Sequence, residues 1–312
     1  MIRISILLAA AFFCVLNAPA PDPRVQAALN AAYLDSGPPL QSYPNGEFYC
    51  PMDGDIRLDG PGVCPKCGMK LVEGVQDVDE YPLTLSVEPR ELRAAQLTRL
   101  NFGIVDPKTG QPVHNFEVVH EKLYHLFVVS QDLTFFLHTH PERTPGEDFH
   151  LDVRFPKPGM YRIVSDFYPS GGTPQLITNT VLVPGDGFAL NPARIAADTS
   201  PRQSENSRVE LEVTSTRIVA RQKVSMRFHV SPDQGVEPYL GAWGHMLAAS
   251  SDLIDMMHNH AFQAVDGRAK AFKELTFNMT FPRSGTYRVW VQFQRMGVVN
   301  TAAFDVTVAE PS

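Results

Sequence analysis

From Tyr81 onward, apolar and polar residues alternate over short runs separated by turn residues, the pattern of half-buried β-strands. "YPLTLSVEP", "LTRLNFGIV", "NFEVVHEKL", "HLFVVS", "FHLDVRF", "MYRIVSDFYP" and "LITNTVLV" are seven strand candidates within roughly a hundred residues. Asp106-Pro107-Lys108-Thr109-Gly110 and Pro158-Gly159 are turns with a mechanism, since proline fixes φ and glycine admits positive φ. A linker at 185–205 interrupts the pattern. From Val209 a second run begins with "VELEVTST", "KVSMRFHVS", "HMLAAS", "LTFNMTF", "TYRVWVQFQ" and "AAFDVTV". The chain is therefore expected to be all-β, with one sandwich over 80–184 and another over 206–310.

The second run repeats the first. "FPKPGMYRIVSDF" at 155–167 aligns with "FPRSGTYRVWVQF" at 281–293, and "HLFVVSQDLTFFLHTH" at 125–140 aligns with "HMLAASSDLIDMMHNH" at 245–260. Two copies of one domain are the simplest account. The shared Phe-Pro, Gly, Tyr-Arg and Phe positions read as strand and turn grammar.

The amino-terminal segment sets the compartment. Arg3 precedes the apolar run "ISILLAAAFFCVLNAPA", and Ala18-Pro19-Ala20 supplies small residues for cleavage, so residues 1–20 are read as a signal peptide. The expected location is periplasmic or secreted, with membrane attachment only if this segment stays uncleaved. A tether at 21–45 follows, with a short helix-like stretch from Val25 to Tyr33. Removing the signal removes Cys14 and leaves Cys50, Cys64 and Cys67, an odd number that disulfides within one chain cannot satisfy. The hydrophobic share of 44% and charged share of 20% are those of a chain that buries a core. A formal charge of −7 argues against a nucleic-acid partner and makes metal cations the easier guests.

Six of the sixteen positions in the aligned histidine segments are identical, and three of them are histidine, although the chain has only ten. Side chains two apart on a strand share a face, so His138 and His140 point the same way, as do His258 and His260. With Gln131-Asp132 as the centre of a tight hairpin, His125 falls directly opposite His138, and the second copy does likewise with His245 and His258. Opposed Cβ atoms lie roughly 4.5 to 5.5 Å apart. Three imidazoles would then converge within reach of one ion at roughly 2.0 to 2.1 Å per nitrogen. A short turn capped by Asp132, with Leu133 and Phe136 buried, is the alternative local structure, and convergence survives it. Met256 and Met257 are read as core filler. His114, His120, His150 and His229 are read as surface or packing residues, with His120 also a group that could support the ligands.

"EFYCPMDGDIRLDGPGVCPKCGMKLV", within a compact segment at 46–75, places Cys50 ahead of a Cys64-Pro65-Lys66-Cys67 turn that aims two thiolates at one point. Met52 and Met69 follow Cys50 and Cys67 at the same distance and offer thioethers. On "YCPM" and "DGPGVCPKCGMKLV" the segment resembles the heavy-metal-binding domain found near the start of copper-transporting P-type ATPases and in efflux-system adaptors. That family carries a histidine after the CPM triplet where this chain has Asp53, so the resemblance implies Cys50, Cys64 and Cys67 as ligands. On "DPKTGQPV" and "HEKLYHLFVVSQDLTFFLHTHP" the remainder resembles immunoglobulin-like or cupredoxin-like domains of secreted bacterial proteins.

The expectation is thus two tandem immunoglobulin-like β-sandwiches preceded by a small Cys-containing metal-binding module. The function expected is an exported metal-binding protein for buffering, resistance or delivery in the cell envelope. Copper is the expected ion and zinc the alternative, with an envelope transport or efflux protein as partner. Two other readings compete: a metalloenzyme using three-histidine sites with an open position, and an interaction module in which only the cysteines bind metal. Against the enzyme, Asp132/Asp252 is the single acidic position shared by both copies near the triads, and turn chemistry already explains it.

Overall fold

The alternating segments form antiparallel strands in a computed structural model whose described residues are 48–50, 57–64, 70–73, 80–144, 146, 148–188, 190–261 and 274–311. The expected signal peptide, the tether and its Val25–Tyr33 stretch, Met52, Cys67 and Met69 lie outside them. The first element is a small sheet in which β1 (Phe48–Tyr49) sits between β2 (Arg57–Leu58) and β3 (Val72–Glu73). An isolated bridge joins Val63, beside Cys64, to Lys70.

The first sandwich comprises β4 (Leu83–Glu88), β5 (Leu97–Ile104), β6 (Tyr124–Ser130), β7 (Phe136–Thr139), β8 (Glu142–Arg143), β9 (Phe149–Arg154), β10 (Gly159–Phe167) and β11 (Gln175–Val183). They divide into sheets β4-β5-β9-β8 and β11-β10-β6-β7. In the second sandwich β12 (Arg202–Gln203), β13 (Arg208–Val213), β15 (Lys223–Ser231) and β19 (Leu275–Thr280) form one sheet. The other joins β14 (Ile218–Val219), β21 (Val298–Ala309), β20 (Gly285–Arg295), β17 (His245–Ser250) and β18 (Met256–His260), with β16 (Val236–Glu237) beside β20. Leu100, Phe102, Phe149, Leu126, Tyr161 and Ile163 fill the first core; Met226, Phe228, Phe277, Tyr287, Val289 and Phe304 fill the second. Gly159 and Gly285 open the aligned strands β10 and β20 at φ of 149° and 139°, a conformation L-residues rarely adopt.

One strand candidate does not form. "NFEVVHEKL" runs as a loop with isolated bridges at Phe116 and Val119, because His120 and Glu121 turn the chain at φ of 47° and 66°.

Alternation also fails in β6 and β17, where every residue is buried. One face of each strand lines its own sandwich, and the other packs against the neighbouring sandwich. A third apolar cluster results, joining Phe127, Val129, Leu133 and Val164 to Leu247, Ala249, Leu253 and Trp290. Phe136 stacks on Trp290 with ring centres 4.9 Å apart and an interplanar angle of 11°. The contact is reciprocal. Arg288 donates to the Leu133 carbonyl at 2.9 Å, and the aligned Arg162 donates to the Leu253 carbonyl at 3.1 Å. The Tyr-Arg pair of the repeat is therefore more than strand grammar: its arginine ties each domain to the other's turn. Residues 191–198 cross this seam, with Ala193 donating to the Ser251 carbonyl at 2.9 Å and Asp198 bridging to Asp305.

Arg288 also grips Asp305 through two bonds of 2.7 Å, and Asp305 is only 6% exposed. Arg288→Ala leaves that carboxylate and the Leu133 carbonyl without their donor, and is expected to cost roughly 2–4 kcal/mol. Urea unfolding monitored by Trp fluorescence would register the loss. Arg99→Ala, which breaks an exposed pair with Asp152, should move the midpoint little.

Candidate metal centre

All six histidines predicted as ligands stand on the outer faces of β6, β7, β17 and β18 or just beyond their ends, turned into the seam between the sandwiches. Register differs from the tight-hairpin expectation. Phe127, and not His125, pairs with His138, while Leu126 pairs with Thr139 and so brings His140 beside His125. In the second copy Leu247 pairs with His258 and His245 pairs with His260. The physical reason is a longer turn. Ser130 donates to Asp132 at 2.6 Å and accepts from the Phe135 amide at 2.9 Å, and Leu133, at φ of 61°, plugs into the seam. Ser250, Asp252 and Leu253 repeat the arrangement. Because the register moved by two residues, every histidine kept its face.

Nitrogen atoms converge in each half. His125 Nδ1 lies 3.2 Å from His138 Nε2 and 3.2 Å from His140 Nε2. Donors about 3.3 Å apart are what a tetrahedral ion with bonds of about 2.0 to 2.1 Å requires. Two groups, His125/His138/His245 and His245/His258/His260, have donor atoms all within 4.8 Å of one another. The two triads are one cluster, not separate sites, with the His125 and His245 rings 5.8 Å apart and His245 in reach of both halves. His120 joins it, its ring 3.7 Å from that of His260, on a left-handed backbone that Leu240 shares at the aligned position.

Proton positions follow from the outer partners. His125 Nε2 lies 3.0 Å from the Val119 carbonyl, and His138 Nδ1 lies 2.8 Å from Gln292 Oε1, whose amide nitrogen is held by Thr301. Each of these nitrogens donates, so the inner nitrogen of each neutral ring is a bare lone pair. His125 Nδ1 and His138 Nε2 therefore face each other with no proton between them. In the second half His245 Nε2 donates to the Tyr239 carbonyl at 3.0 Å, and His258 Nδ1 donates to Asp166 at 2.5 Å. His245 Nδ1, His258 Nε2, both His260 nitrogens and His120 Nε2 are buried without a hydrogen-bond partner. Each such group costs about 1–3 kcal/mol. Several in one place call for a cation, and the donor set fits one.

Protonation of His120, His125, His138, His140, His245 and His260 is disfavoured. Burial, then the neighbouring His258, pushes His125 down to about 4; burial and the same neighbour push His120 down to about 4. Burial and His125 push His140 down to about 3, and burial holds His138, His245 and His260 well below the usual imidazole range. Phe127 walls the cluster, stacked on His138 at 4.2 Å and edge-on to His258 at 4.7 Å.

Asp166 and Gln292 were not singled out in the sequence, and they occupy aligned positions in the repeat. Each comes from one sandwich and orients a histidine of the other. They differ in identity, so comparing the copies for shared residues passes over them. His120, read from the sequence as a packing residue that could also support the ligands, stands in the cluster itself, with Leu240 at its aligned position. His114 and His229 are exposed, and His229 pairs with Glu212 at 2.8 Å. Met256 packs in the seam and Met257 against the second core. Cys50 and Cys64 are both 0% exposed. Tyr49 and Cys50 act on Tyr168, two residues beyond Asp166, so the cysteine module lies near this end of the first sandwich.

Residues 76–185 and 202–310 each match the model of one family, described as Domain of unknown function (DUF8832), and together they make up more than half of the chain. The chain belongs to this family. Residues 48–73 match the Heavy metal binding domain, so a heavy-metal-binding module precedes two DUF8832 repeats. No curated protein matches. Among solved structures, the chain is similar to the Escherichia coli adhesin FdeC at 11% identity, covering 78% of this chain and 70% of that one, with a TM-score of 0.24. It is also similar to domains 4 and 5 of the S-layer protein SbsC at 15% identity, covering 75% and 100%, with a TM-score of 0.21. The fibronectin(III)-like modules of Clostridium thermocellum CbhA follow at 12% identity, covering 73% and 93%, with a TM-score of 0.19. Likeness at this level does not bear on the site.

For the metal-free DUF8832 pair, the lowered imidazole values fix a pH dependence. Between about 6.5 and about 4 the unfolded chain binds protons that the folded chain refuses, so stability falls as pH falls. Each such histidine contributes a slope of up to about 1.4 kcal/mol per pH unit. Urea midpoints of metal-free protein should drop steadily from pH 7 to pH 5; a flat profile would contradict the buried, neutral cluster.

Proposed function

We propose that this chain is an exported metal-binding protein that holds copper in the cell envelope, buffering it and handing it to a transport or efflux partner. The observation that carries the reading is the pair of bare lone pairs on His125 and His138, repeated by the orphaned nitrogens of His245, His258 and His260. A buried cluster of this kind is costly when empty, and a bound ion offsets that cost; a structural zinc site is worth about 10–16 kcal/mol in small peptides. Cys50, Cys64 and Cys67, with Met52 and Met69 each two residues on from a cysteine in the sequence, supply the capture donors. Thiolates and imidazoles both accept copper or zinc, and the thioethers of Met52 and Met69 tip the choice toward cuprous ion. The module's position by Tyr168, near Asp166, favours passage from sulfur to nitrogen within one molecule. An apolar run ahead of Ala18-Pro19-Ala20 supports export, since it has the length of a signal-peptide core.

Native mass spectrometry on protein offered Cu(I), Cu(II) or Zn(II) tests the reading. Wild type should retain more ions than a variant carrying His125→Ala, His138→Ala and His140→Ala. Equal stoichiometry in the two would sink the first triad as a ligand set.

A further inference from the structure

The two halves of the histidine cluster are alike in backbone and unlike in surroundings. His258 is oriented by Asp166 and His138 by Gln292, at aligned positions of the repeat. His120 lies over His260, while leucine stands at the aligned position 240. By whole residue, His125, His245 and His260 are 2%, 1% and 4% exposed, while His138, His140 and His258 are half-buried.

We infer that the centre holds two ions in unequal positions: a retained one at His245, His258 and His260, and an exchangeable one at His125 and His138 with His140 beside His125. This rests on the metal reading above. A carboxylate accepting the Nδ1–H of a ligand raises the basicity of its other nitrogen, and its charge offsets part of the ion's charge where water is excluded. An amide in the same place orients the ring without that charge. Outer partners of this kind change metal affinity about 10- to 100-fold, enough to separate two otherwise equivalent sites. His120 widens the gap, because its buried, unpartnered Nε2 adds a fourth imidazole beside the carboxylate-backed half. Exposure acts weakly in the same direction: ligand exchange needs an incoming donor, and two histidines of the His125 half are half-buried against one, His258, in the other. His245 connects the positions, since its donor atom groups with His125 and His138 as well as with His258 and His260. An ion can therefore pass between them without ever losing all its protein ligands. The carboxylate also sets ion charge, so the retained position favours a divalent ion.

Titration of the full chain with Co(II) tests this, because thiolate ligation gives a near-ultraviolet charge-transfer band and imidazole ligation gives visible d–d bands alone. Wild type should fill the imidazole bands with two equivalents, in steps whose dissociation constants differ about tenfold or more. Asp166→Asn should weaken the first step and bring the two together. Gln292→Glu, a separate variant should the first fail to fold, should tighten the second step by about tenfold. After brief exposure to a chelator, wild type should keep one imidazole-bound equivalent. Two equivalents bound in a single step, one equivalent only, or step spacing unmoved by both substitutions overturns the inequality of the positions. No imidazole-type absorption at all overturns the metal reading of the cluster itself.

Discussion

Two sheets packed through their outer faces govern the rest of this structure. In an isolated sandwich the outer face of β6 or β17 meets water, and polar side chains there are unremarkable. Here the outer faces of β11-β10-β6-β7 and β21-β20-β17-β18 meet each other, and burial extends through both. Whatever stands on those faces loses water. At one end of the seam it is arginine, satisfied by carbonyls of the opposite turn. In the middle it is Phe127, Val164, Leu247 and Trp290. At the other end it is imidazole.

Desolvation turns the histidines from ordinary polar residues into a constrained donor set. A neutral imidazole has one proton, and each ring whose outer nitrogen donates to a carbonyl, an amide or a carboxylate must turn a lone pair inward. Several inward lone pairs in a dry space repel, and burial resists the protonation that would relieve them. The outer partners cross the seam, so neither sandwich completes its own half. Duplication supplied two equal faces, and the exchange of Asp166 for Gln292 at one aligned position made them chemically different.

The sandwiches were legible in the sequence because strand alternation and turn chemistry are local. Six ligand candidates were legible because histidine is rare and recurred at one offset. The hairpin register was legible only in parity. A four-residue turn between Ser130 and Phe135 replaced the two-residue one, which moved His125 from His138 to His140 and left the face unchanged. "NFEVVHEKL" misled because its apolar pattern is that of a strand while His120 and Glu121 adopt left-handed backbone that propensity does not anticipate.

By itself the sequence determined that the chain is all-β and duplicated, that a cysteine segment resembling a heavy-metal-binding domain precedes the repeats, and that each repeat turns three histidines to one face. These follow from the period of two and from spacing, which act over a few residues. Only the tertiary structure decided which face that was and what lay opposite it. The approach of His125 to His245, the roles of Asp166, Gln292 and His120, and the tie between each arginine and the other domain's turn depend on contacts between residues some ninety to one hundred and fifty apart. No local pattern encodes those, because two sheets choose their partner faces by the shape and polarity of whole surfaces.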